Sequence, residues 1–226
     1  ENTVNVGGGI ISGTSYAIWV QNPSDGNNTV NTKDTKAKLN ISAGELGKIL
    51  LEASAGFEVA ISGGTISEVA FWETDVTNPE RNPSSFIKGG TFRMDVTEFC
   101  AFNYVCTPNG NGTYGIVYKP QEDNAFVIET LHELEAFRDA VNAGNNFSGK
   151  VFKLKSNIDL NPTRAINYWE PIGTQANPFK GTFDGGNNTI SNLVVEGENY
   201  LGLFGKTDGA TIKNVKINNV TINGVS

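Results

Sequence analysis

The sequence predicts an all-β protein coiled as a parallel β-helix, and three observations carry that expectation. Its 226 residues include 26 glycines in a polar composition, a mixture that favours turns and short strands. A short unit of apolar residue, small-residue corner and apolar residue recurs along the chain. A helical pattern stands out in one segment, TLHELEAFRDAVNAG at 130–144.

The recurring unit reads VGGGII (6–11), ISAGEL (41–46), ISGGTI (61–66) and IKGGTF (87–92), at spacings of 35, 20 and 26 residues. A second repeat sets Thr189-Ile190-Ser191-Asn192-Leu193 against Thr211-Ile212-Lys213-Asn214-Val215, an offset of 22. Repeats of this length with no helix between them predict coils that each lay two or three short strands on those of the next. Strands about 4.8 Å apart then align equivalent side chains in ladders. Inward positions take Val, Ile, Leu or Phe; corners take Gly, Asn or Asp, which tolerate left-handed backbone. Ile212, Val215, Ile217, Val220, Ile222 and Val225 alternate in steps of three and two and are expected to point inward. The extra residue in each longer step marks a corner or bulge.

The exceptional segment has the marks of an α-helix at about 130–143. Thr130 and Glu133 make a capping-box pattern, Leu131, Leu134, Phe137 and Val141 share a face, and Gly144 is a natural stop. An open sheet end invites further pairing, and an amphipathic helix laid across the first coil would cap it. Upstream, apolar and aromatic residues flank Asn-Gly turn material at 109–112, which predicts a β-hairpin at about 104–119. The polar KPQEDN stretch separates two segments, 1–122 ending in the hairpin and 123–226 opening with the helix.

The motifs from Ile128 onward resemble the GLUG-motif repeat of large secreted and cell-surface bacterial proteins. The resemblance rests on IETLHELEAFRDAVNAG, WEPIG (169–173), PFKGTFDGGNNTISNL (178–193), GLFG (202–205) and ATIKNVKINNVTING (210–224). Residues 62–118 are similar, more loosely, to a β-helix segment of gut bacterial surface proteins. The resemblance implies a right-handed, pectin-lyase-like β-helix in an extracellular, adhesin-like setting. It brings no catalytic residues to carry over.

Several function classes recede on composition and motif. A net charge of -7 and a pI of about 4.8 oppose binding to a phosphate backbone. No run of 18 apolar residues occurs, so no helical membrane span is expected within this chain. The chain starts at Glu1 and its sole methionine is Met94, which suggests a piece of a longer protein. Gly205-Lys206-Thr207 resembles the close of a phosphate loop, but Tyr200 stands where GxxxxGK[ST] needs its first glycine. HELEA (132–136) falls short of the zinc motif HExxH because residue 136 is Ala136 and His132 is the single histidine. His132 is expected on the solvated face of the helix. No GxSxG nucleophile turn is present.

Polysaccharide cleavage requires carboxylates that converge across a groove. Asp75, Glu80, Asp95, Glu98, Asp159, Glu170 and Asp184 are scattered among turns, and Asp184 in FDGGNN reads as a turn cap. Cys100 and Cys106 leave two readings open, a local disulfide or two packed thiols. With no CxxC and no Cys/His cluster, neither a metal nor a cofactor is expected. Trp19, Phe71-Trp72 and Tyr168-Trp169 are the aromatic candidates for a sugar ring or a protein partner, with Trp19 and Trp72 put forward as exposed binding residues. Trp169, within WEPIG, is expected to be packed. The expected function is a monomeric, non-catalytic adhesion or spacer module acting on glycan or protein ligands. The alternatives are a polysaccharide-degrading β-helix enzyme and a phage tail-fibre or tailspike segment.

Overall fold

A computed structural model describes residues 2–13, 16–20, 37–52, 58–72, 86–119, 121–161 and 168–224. The chain is mostly β with one α-helix among the described residues. It divides into two compact units, Glu1–Lys119 and Pro120–Ser226.

In the first unit β1 (Asn2–Ile11), β2 (Ile18–Val20), β3 (Ala37–Glu52), β4 (Glu58–Trp72) and β5 (Ile87–Phe92) pair in parallel, in the order β1-β3-β4-β5 with β2 also on β3. Val6 is registered with Ile41, Ile41 with Ile61 and Ile61 with Ile87, the spacings of 35, 20 and 26 seen in the repeats. Leu46, Ile66 and Phe92 form the next ladder. All of these side chains are buried in one core. Burial of each branched side chain contributes about 1.5–3 kcal/mol.

The small residues between the two ladders make the corner. Gly9, Gly44, Gly64 and Gly90 all have left-handed φ, at 84°, 104°, 90° and 112°. Each stacks on the last so closely that a Cβ on Gly64 would stand 3.1 Å from the Gly44 carbonyl oxygen. The preceding residue is tighter still, since a Cβ on Gly63 would meet the Ser42 carbonyl oxygen at 2.2 Å. Ser42 and Ser62 donate their hydroxyls to the carbonyls of Val6 and Ile41, one strand back. The unit closes with a 3-10 turn (Thr97–Phe99) and a hairpin of β6 (Tyr104–Pro108) and β7 (Tyr114–Tyr118), which adds antiparallel to β5.

In the second unit β8 (Ala125–Ile128) leads to α1 (Leu131–Asn142), β9 (Val151–Leu154), β10 (Ile158–Asp159), β11 (Thr182–Asp184), β12 (Thr189–Gly197), β13 (Thr211–Lys213) and β14 (Lys216–Gly224). The parallel sheets are β13-β11-β9-β8 and β10-β12-β14, so the chain visits the two in alternation three times. Between visits, Ile172 bridges Phe204 and Phe179 bridges Thr207, both parallel.

The helix begins with a complete capping box, in which Thr130 accepts from the Glu133 N–H and the Glu133 carboxylate accepts from the Thr130 N–H. Leu134, Ala136, Phe137 and Val141 are buried, whereas Leu131 is half-buried. Phe137 enters a cluster of rings, with centroids 4.3 Å from Phe152, 5.4 Å from Phe179 and 6.0 Å from Phe183. Phe152 is registered with both Phe126 and Phe183, so the helix packs on a phenylalanine ladder.

The sequence offset of 22 is not a register. Thr189 pairs with Lys216 and Thr211 with Thr182, so the two copies of the repeat lie in different sheets. They look alike because each ends at a corner, with Asn192 at φ 59° and Asn214 at φ 55°. The true ladders run Ile158, Ile190 and Ile217, and Phe152, Phe183 and Ile212. A polar ladder runs beside them, as the Asn219 side-chain amide donates to Asn192 Oδ1 and the Asn192 side-chain amide to Asp159 Oδ1. Ile212, Ile217, Val220 and Ile222, expected inward, are 41–50% exposed because β13 and β14 are outermost in their sheets.

Asp184 caps its turn by accepting from the Gly186 N–H and the Asn214 amide, with Lys213 at 3.4 Å. Those bonds, the Asn214 contact foremost, hold its carboxyl below the usual carboxylate range. Asp95, which accepts from both the Thr97 hydroxyl and N–H, is lowered in the same way.

Truncating Phe137 to Ala empties the centre of the ring cluster, and urea unfolding of F137A is expected to show a loss of about 3–5 kcal/mol. Gly63→Ala forces a Cβ onto a backbone carbonyl and is expected to cost about 1–3 kcal/mol in the same measurement. Because the folded pKa of Asp184 is depressed, its contribution is present above the unfolded carboxylate pKa and is lost as pH falls through the folded value. Melting temperatures followed from about pH 5 to about pH 2 should therefore fall less steeply in D184N than in the parent chain. Asp184→Asn keeps the Oδ1 acceptor, so at neutral pH it should cost less than Asp184→Ala.

Candidate functional site

The residues put forward from sequence fall into three groups. Trp19 lies in β2 and Trp72 ends β4, but their side chains, like Asp75 and Glu80, lie outside the described residues. Cys100 and Cys106 are both reduced and not joined in a disulfide in the structure. Cys100 is fully buried and donates to the Val96 carbonyl at 3.5 Å. Burial, aided by Cys106 and Asp95, pushes its pKa up to about 12, so at neutral pH it is an inert core residue. Burial raises Cys106 as well.

Four of the acidic candidates are occupied by structural bonds, whereas Glu98 is exposed. Asp95 and Asp184 cap turns, and Asp159 accepts from the Asn161 N–H and the Asn192 amide. Glu170 accepts from the Asn142 amide and lies 3.9 Å from Arg138. No group of three His, Cys, Asp or Glu suited to a metal ion occurs among the described residues. His132 is half-buried rather than fully solvated, and Ala136, where a second zinc ligand would stand, is buried.

GLFGKT is part of the backbone framework. The Ile172 N–H donates to the Leu203 carbonyl, the Gly205 N–H to Ile172 and the Lys206 N–H to Gly173, which pairs GLFG with the PIG of WEPIG. A Cβ on Gly173 would meet the Lys206 carbonyl oxygen at 2.2 Å. Strand β13, not a helix, follows the motif, so no helix N-terminus aims N–H groups at a phosphate. Trp169 is 5% exposed. Its Nε1 donates to the Leu203 carbonyl, and Arg138 stacks 4.9 Å from its ring centroid.

Two aromatic rings that reach solvent flank this packed pair of motifs. Tyr168, next to Trp169, is 41% exposed, and Tyr200 is 45% exposed. Tyr168 is hydrogen-bonded to Glu196, which raises the pKa of the phenol. Tyr200 donates its hydroxyl to Gln175, and the Lys206 ammonium lies 5.6 Å from its ring centroid. Tyr200 also holds a left-handed φ of 57°, uncommon for a bulky residue. Its carbonyl lies against Gly205, where a Cβ would approach it to 3.0 Å. The loop that carries Tyr200 is thus tied to the framework while its ring stays open to solvent. Rings bordered by an amide, a carboxylate and an ammonium suit a polyhydroxylated ligand, which offers C–H faces for stacking and hydroxyls for hydrogen bonds. The sequence singles out Tyr168 among the aromatics but not Tyr200, whose surroundings depend on the pairing of GLFG with PIG.

No helix among the described residues is long and apolar enough to cross a membrane. No family model matches the chain, and no solved structure matches it. It is similar to halomucin from Haloquadratum walsbyi, with 30% identity over 126 residues, 51% of this chain and 1% of halomucin. It is also similar to a putative Gly-rich membrane protein from Evansella cellulosilytica, with 33% identity over 90 residues, 37% of this chain and 10% of that protein. The chain therefore corresponds to a small fraction of either relative.

Proposed function

We propose that this chain is a non-catalytic binding module of a larger cell-surface protein, a right-handed parallel β-helix that presents exposed aromatic side chains to extracellular glycans. The β-helix reading is supported by the parallel ladders, which recur at the repeat spacings with a left-handed corner stacked at each level. Parallel strands joined by crossovers are right-handed in almost all proteins. The second unit, with WEPIG against GLFG, is the part we assign to the GLUG type, and α1 is its cap. Surface localisation draws support from the names of the two relatives, halomucin and a putative Gly-rich membrane protein.

The observation that carries the binding role is the contrast between carboxylates and tyrosines. Asp95, Asp159, Glu170 and Asp184 are committed to turns and packing, whereas Tyr168 and Tyr200 stand open beside polar partners. Stacking on one such ring is worth about 0.5–1.5 kcal/mol, enough for selective weak binding that gains strength through repetition in a long protein.

A glycan array probed with the purified chain should show retention of a restricted set of saccharides. Tyr200→Ala should weaken retention of those saccharides about tenfold, with an unchanged circular dichroism spectrum. No new reducing ends should appear on prolonged incubation. Release of shortened saccharides would favour an enzyme, and absence of any binding would leave the spacer role. Labelling of intact source cells with an antibody to the chain tests the surface assignment separately.

A further inference from the structure

Six Asn-x-Ser/Thr tripeptides without a central proline occur, at Asn27, Asn40, Asn111, Asn146, Asn187 and Asn219. This tripeptide is the acceptor pattern for N-linked glycosylation. Asn27 lies outside the described residues, and the other five differ in what their side-chain amides do.

Two of the five share one geometry. At the exposed tip of the β6–β7 hairpin, Asn111 Oδ1 accepts from the Thr113 N–H at 3.1 Å and from the Thr113 hydroxyl at 2.6 Å. In the turn before β9, Asn146 Oδ1 accepts from the Ser148 N–H at 3.0 Å. Both asparagines are exposed, and the middle residue of each tripeptide is left-handed, Gly112 at φ 80° and Phe147 at φ 55°. A backbone N–H can only donate, so it fixes the amide oxygen toward the turn. The nitrogen on the other side of Cγ then faces away from the turn. Phe147 anchors the second turn by packing its ring 4.9 Å from Phe152.

The other three are engaged differently. Asn40, within β3, donates its amide to Asn5, and Asn219, within β14, donates to Asn192. At Asn187 the Thr189 N–H that would close the turn donates instead to Asn157 Oδ1.

We infer that Asn111 and Asn146 are acceptors for an N-linked glycan, taken from a lipid-linked oligosaccharyl phosphate or pyrophosphate, and that Asn40, Asn187 and Asn219 are not. In the transfer, the asparagine Nδ2 bonds to the anomeric carbon of the sugar. The anomeric C–O bond to the lipid phosphate breaks, the phosphate leaves with the electron pair, and the amide nitrogen gives up one proton. Such donors are presented outside the cytoplasm, so the inference rests on the surface assignment above. Assay of the folded chain with a purified transferase nonetheless reads acceptor geometry wherever the parent protein resides.

The folded chain is incubated with a solubilised oligosaccharyltransferase and its lipid-linked donor, and glycopeptides are mapped by mass spectrometry. Glycan is expected at Asn111 and Asn146, with at least tenfold lower occupancy at Asn40, Asn187 and Asn219. Thr113→Val and Ser148→Ala should each abolish their own site alone. Gly112→Val keeps the tripeptide and meets nothing within 4 Å at its Cβ, but it disfavours the left-handed turn and should lower occupancy at Asn111 several-fold. An unmodified Asn111 and Asn146, equal occupancy at Asn40 or Asn219, or full occupancy at Asn111 in G112V would each overturn the inference.

Discussion

The stacking of left-handed corners, one above another, is the constraint on which the rest of both units depends. A parallel ladder holds its apolar side chains over one another only if each level turns at the same point of the strand pattern. In the first unit that point is a glycine with left-handed φ at every level, and at Gly44, Gly64 and Gly90 a Cβ would also stand only 3.0–3.2 Å from the carbonyl oxygen of the corner below. In the second unit it passes to asparagine, whose amide both tolerates the left-handed backbone and bonds to the level below. Glycine gives closeness and asparagine gives a bond. Either choice brings Val, Ile, Leu and Phe into register over their counterparts.

Much of this could be read from residues alone. Where the corner is built from Gly-Gly or Ala-Gly, the repeat spacing and the strand register coincide. Where it was built from asparagine, the sequence repeat misled. Thr-Ile-x-Asn occurs at β12 and at β13, two strands that each run into a left-handed asparagine without pairing with one another, so local resemblance recorded a shared turn rather than a shared ladder. The helix was legible because its capping box and apolar face are local properties. The depth of Phe137 in a ring cluster drawn from β8, β9, β11 and the loops was not, because those partners are distant in sequence.

The same division governs the candidate site. Turn-capping carboxylates such as Asp184 were recognisable from their neighbours, and the failed zinc and phosphate motifs were dismissed by one residue each. Exposure is another matter. Tyr168 and Trp169 are adjacent in sequence, yet one faces solvent and the other is packed beneath Arg138 with its indole N–H satisfied by Leu203. Only the pairing of two motifs about 30 residues apart decides which ring is which, and no periodicity in either motif encodes that outcome.

Connection length is left free by the corner rule. Between one corner glycine and the next the chain spends 35, 20 or 26 residues without altering the register of the ladders. Lengthening such a connection costs little closure entropy. An insertion or deletion there leaves the stacked corners where they are, so the connections of such a coil can be rebuilt in length and chemistry while the column of aliphatic and aromatic side chains inside stays in register.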